Sequence, residues 1–127
     1  MNLRFTTLLT IVVTLLVSAS VFAKPSNKWR LEFSGGADSD GVIVINITPV
    51  DGETISTETS IEDGTGENAV AKAVVKSLKL QLNKDHFKVE RDDGEDVLIK
   101  KRRRTPDFDV EIVSNTVEGV RIHPEHE

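Results

Sequence analysis

The chain predicts an α+β fold: a mainly antiparallel sheet of about six to seven strands with one amphipathic helix packed on one face, in the order βββαββββ. Three observations carry that prediction. Short apolar runs alternate with a period of two, Asp-Gly pairs stand at two of the connections between them, and one stretch shifts to spacings of three and four.

Lys28 to Phe33 sets Trp29, Leu31 and Phe33 against Arg30 and Glu32, the pattern of a strand with one buried face. Ser34 to Gly41 breaks it as a loop. Val42 to Val50 is largely β-branched and at first apolar on both faces, which places it centrally in the sheet. Asp51-Gly52 then predicts a hairpin with a type I′ turn, whose two central residues both need positive φ. The returning strand, Thr54 to Ile61, is polar enough for an edge.

From Glu67 to Leu82 the apolar residues Val70, Ala71, Val74, Val75, Leu78 and Leu82 recur at helical spacing. Thr65 is the expected cap, and Glu67 suits the positive end of the helix dipole. Lys72, Lys76 and Lys79 fall on the opposite side as a solvated stripe. After Asn83-Lys84-Asp85 the strand pattern returns in His86 to Arg91, turns at Asp92-Asp93-Gly94 and continues from Asp96 to Lys101, a second Asp-Gly hairpin. Phe108, Val110 and Ile112 mark the next strand, and Val117 to Ile122 is the weakest candidate. Lys24 to Asn27 reads as a polar lead-in and Pro124 to Glu127 as a loose tail.

Ahead of this domain, Arg4, the uncharged apolar run Leu8 to Val17 and the small-residue exit ending at Ala23 have the three parts of a cleavable signal peptide. The ten-residue run is short for a membrane span, which takes about 20 apolar residues. The alternative is an uncleaved anchor, because Lys24, Lys28 and Arg30 outnumber Arg4 on the far flank. Cleavage after Ala23 makes residues 1–23 the signal and 24–127 a single small domain, with no membrane span after cleavage and a periplasmic or secreted location. Without cysteine the fold has no disulfide framework and holds by core packing, which suits a bacterial envelope protein better than a eukaryotic extracellular module.

The mature chain keeps 15 basic residues against 21 acidic ones, a net charge of −6 once Arg4 is removed, so phosphate backbones are repelled and nucleic acid is excluded as a partner. Asn46-Ile47-Thr48 matches the glycosylation pattern but lies inside a predicted strand. No residue pattern asks for a cofactor.

Catalytic patterns are weak throughout. There is no Cys nucleophile and no Gly-x-Ser-x-Gly, and His86 beside Asp85 reads as a surface residue at a helix-to-strand turn. The paired acids, Asp38 with Asp40 and Asp92, Asp93, Glu95 and Asp96, sit in turns, where Asp bonds to nearby backbone. Asp38-Ser39-Asp40-Gly41 opens like a calcium loop and then runs into an apolar strand, so no metal site is assigned there. The tail His123-Pro124-Glu125-His126-Glu127 offers imidazoles and carboxylates without a second layer of residues to fix them.

The most unusual local feature is the basic run Lys100, Lys101, Arg102, Arg103 and Arg104, which closes one strand and opens the loop before Pro106. It reads either as a solvated loop or as an electropositive docking surface for an acidic protein or an anionic envelope surface. With no aromatic interleaved, stacking on single-stranded nucleic acid is excluded. The expected function is therefore a non-enzymatic exported binding domain acting through this loop and the edge strand Thr54 to Ile61, as an inhibitor, an immunity-type protein or an envelope accessory subunit would. A small-ligand or metal-ion binding protein is the alternative, and a small hydrolase built on His86 ranks third.

Overall fold

The structure, a computed structural model, describes residues 24–127; residues 1–23, expected to be a signal peptide, lie outside the described residues. The elements are β1 (Lys28–Ser34), β2 (Gly41–Pro49), β3 (Ile55–Ile61), α1 (Glu67–Gln81), β4 (Phe87–Asp92), β5 (Asp96–Lys101), β6 (Phe108–Asn115) and β7 (Arg121–His126), so the order βββαββββ holds.

All strand pairs are antiparallel, and they hydrogen-bond as two sheets rather than one: β4-β5-β1-β7 and β3-β2-β6. The helix lies against both β3 and β4, and β6 meets β7 on the other side. The two sheets and the helix thus surround one core. Trp29, Leu31 and Phe33 of β1 face Ile43, Ile45 and Ile47 of β2 within it, and Val70, Ala71, Val74, Val75 and Leu78 close it from the helix. The alternation in β1 and the three-four spacing in α1 put those side chains on single faces, so burial follows directly from period.

The division into two sheets begins in the loop after β1. Gly35 has φ +79°, and a Cβ there would stand 2.1 Å from the carbonyl oxygen of Gly119, which itself has φ +85°. Only two glycines let this loop and the β6–β7 turn approach so closely. The loop leads from β1 of the first sheet to β2 of the second.

Several local expectations change. The turn after β2 centres on Val50 and Asp51: the Gly52 N–H donates to the Pro49 carbonyl at 3.0 Å, and of the Asp51-Gly52 pair only Asp51 has positive φ, +57°. That is type II geometry, not type I′. In the second hairpin Asp93 and Gly94 are both positive, at +46° and +78°, and Asp92 pairs with Asp96 across a three-residue loop. The helix is capped at Gly66 with no side-chain bond, because the Thr65 hydroxyl donates instead to the Glu62 carbonyl at 2.7 Å.

Neither end of the domain is loose. Ser26 pairs with Phe108, and its hydroxyl donates to the Glu127 carbonyl at 2.7 Å. The last strand starts at Arg121 and runs through Pro124 to His126 along β1. Proline is tolerated there because β7 is an edge strand whose missing N–H leaves no ladder bond broken. Among the described residues no helix is long and apolar enough to cross a membrane.

Candidate functional site

On β1, β4 and β5 the residues between the core-facing positions form the outer face of the first sheet. Register sets them in rows: Lys88 lies opposite Lys100 and Lys100 opposite Lys28; one step on, Glu90, Leu98 and Arg30 align; beyond them come Asp92, Asp96 and Glu32. One end of the face is therefore cationic and the other anionic. Charge separation of this kind is invisible in a net charge.

Ion pairs stitch the rows together. Lys100 meets Glu90 at 2.6 Å, and that hydrogen bond holds the Glu90 carboxyl below its ordinary pKa. Lys28 meets Glu127 at 2.8 Å. Arg30 reaches Glu127 at 2.7 Å, Asp96 at 2.8 Å and Asp92 at 3.1 Å, so its guanidinium is held even more firmly protonated than usual. Hydrogen bonds from Lys28, then Arg30, pull the Glu127 carboxyl down to about 2. Leu98 is buried on this outer face between Glu90 and Arg30, under their stems and ion pairs.

The five residues of the basic run separate into two groups. Lys100 is held by Glu90, while Lys101 bonds Asp107 at 3.0 Å and the Thr105 carbonyl at 3.1 Å; both are part of the scaffold. Arg102 donates its backbone N–H to the His86 carbonyl at 2.8 Å and its Nε to the Lys84 carbonyl at 2.6 Å. Arg103 and Arg104 are exposed and make no side-chain hydrogen bond or ion pair among the described residues. The loop itself is a tight turn closed by Thr105 on the Arg102 carbonyl, with Arg104 at φ +67°.

Lysines that stand apart in the sequence join this loop in space. Lys84 and Lys88 lie beside Arg102, Lys79 of the helix stripe comes within the same surface, and Lys28 adjoins Arg103. The signal that could have found Lys28 and Lys88 is strand parity, since both share the outward parity of Lys100; their opposition needs the register, which no single strand contains.

The edge strand behaves differently. β3 ends its sheet as expected, but α1 covers its outer edge: Gln81 accepts from the Glu58 N–H at 2.8 Å and donates back to the Glu58 carbonyl at 2.8 Å, where Ser77 also donates. The centre of this edge is thus already paired.

Several of the remaining acids and histidines serve the scaffold. Asp40 accepts the Asp63 N–H at 2.7 Å, and Asp38 and Ser39 anchor the loop to Glu118. The His126 ring packs at 5.5 Å on Trp29, and His123 meets Glu125 at 3.1 Å. The exposed His86 ring has no hydrogen-bond partner among the described residues. No cluster of His, Asp and Glu among them is arranged to hold a metal ion. Compared with models of protein families and with curated protein sequences, the chain matches none.

Proposed function

We propose that the protein is a non-enzymatic, exported binding domain that docks on an acidic partner through the cationic end of its first sheet and the loop that follows β5. The observation that carries this reading is the row Lys28–Lys100–Lys88. Like charges directly opposite on neighbouring strands destabilise a sheet, and two carboxylates, Glu90 and Glu127, serve all three lysines. Arg104 adds to the case, since a long cationic side chain occupies a left-handed turn position that glycine adopts without strain. A surface that holds excess positive charge against these local costs steers and orients an oppositely charged surface.

The test uses the exported protein and a variant with Lys84, Lys88, Arg103 and Arg104 all changed to Gln, positions whose side chains make no bond to the backbone among the described residues. Captured from the protein's own cell envelope, a partner should be retained by the wild type, released as salt rises, and absent from a variant with unchanged circular dichroism. Equal capture by both forms overturns the reading. Export is tested separately: the N-terminus of the mature protein should be Lys24, and a retained residue 1–23 segment would make the chain membrane-anchored.

A further inference from the structure

A hollow of about 390 Å³ opens between the C-terminal end of α1 and β4. Its floor is apolar: Leu82, Phe87 and Val89, each only 5–6% exposed. The floor is backed by the core, where Phe87 packs edge-on against Phe108 at 5.2 Å. Its rim is cationic, with Lys79 from the helix, Lys84 from the connection, Lys88 from β4 and Arg102 from the basic loop, and among the described residues no acidic side chain lines it.

The rim is poorly neutralised. Among the described residues Lys88 has only Glu90, at 3.8 Å, and Glu90 is already bound to Lys100. Arg102 spends its Nε on the Lys84 carbonyl, which fixes the guanidinium and leaves both Nη groups without a protein partner among the described residues. A guanidinium held in this way is pre-set for a bidentate carboxylate.

The shape and the charge together select the occupant. A recessed floor receives something that projects, whereas a bilayer surface needs the protein to project, and Arg102 to Thr105 carries no apolar residue to insert. A single acyl carboxylate brings one negative charge to four cations. We propose that the hollow receives one large apolar side chain, of leucine or phenylalanine size, from an acidic segment of a partner protein whose carboxylates pair with Arg102 and the rim lysines. This rests on the docking reading above and supplies its energetic centre, because a buried apolar anchor ringed by charged contacts is the usual form of an interface hot spot.

Two short peptides test it, one of glutamates flanking a central phenylalanine and its twin with serine at the centre, titrated into the intact domain by fluorescence anisotropy and by the methyl resonances of Leu82 and Val89. Burying the ring should make the phenylalanine peptide bind about tenfold tighter or more. It should shift both methyls, with the serine peptide shifting neither, and Lys84→Glu with Lys88→Glu should weaken both peptides. Equal affinities with unshifted methyls overturn the hollow as an anchor site and leave the basic face standing. No binding of either peptide or of phosphatidylglycerol vesicles at low salt overturns both readings. Binding to phosphatidylglycerol vesicles with no peptide binding overturns the anchor site in favour of a lipid surface.

Discussion

Gln81 stands beside Glu58 as a neighbouring strand would, its side-chain amide meeting both the N–H and the C=O of the β3 main chain at 2.8 Å. An open strand edge invites pairing with other chains, and here a helix side chain occupies its centre. Gln81→Ala should cost about 1–2 kcal/mol in urea unfolding, the worth of two modest hydrogen bonds. It should also speed exchange of the Glu58 amide and promote self-association at high concentration, whereas an unchanged amide would show that the edge is shielded by other contacts.

The opposed lysines make a trade-off measurable. Lys88→Thr removes one like-charge contact and places a β-branched residue on a strand, so stability should rise by a few tenths of a kcal/mol at low salt, with the gain shrinking as salt screens the row. Partner binding should fall in the same variant. A loss of stability would mean that the Lys88–Glu90 contact outweighs the repulsion.

Arg104 is the second such position. With φ at +67°, Arg104→Gly should relieve backbone strain and leave the domain as stable or up to about 1 kcal/mol more stable, despite the extra freedom glycine brings to the unfolded chain. Thermal unfolding decides this, and a clear loss of stability would show that the arginine side chain holds the turn.

Buried Thr59 has a hydroxyl with no partner among the described residues, whereas the neighbouring inward Thr57 donates to the Ile45 carbonyl at 2.9 Å. Thr59→Val should stabilise the domain by about 1 kcal/mol, because an unsatisfied buried hydroxyl is replaced by a methyl of the same shape, and Thr57→Val should not. The comparison of the two by denaturant midpoint is the check.

Acid should act through the carboxylates of the outer face. Glu127 and Glu90 have folded pKa values below the ordinary range, so their ion pairs contribute fully above about pH 4.5, and the contribution is lost as pH falls; for Glu127 the loss runs to about pH 2. Melting temperature should fall through that window and fall less steeply in Glu127→Gln with Glu90→Gln. A Glu127 titration midpoint near the ordinary value would remove the basis for this expectation.

The sequence alone determined the helix and the first six strands, because periodicity is local: Trp29, Leu31 and Phe33 alternate, and Val70, Val74 and Leu78 repeat, whatever lies elsewhere in the chain. It also marked the basic run by composition. It misjudged the tail and the first turn, since Pro124 beside Leu31 and the Gly52–Pro49 bond depend on partners or angles that residue preference leaves open. What only the tertiary structure decided is pairing: which strands share a sheet, that Gln81 closes the β3 edge, and that Lys28, Lys88 and Lys100, up to 72 residues apart, stand in one row. Register across strands is fixed by the joint burial of two or more elements in one core, and no window of a single strand holds that information.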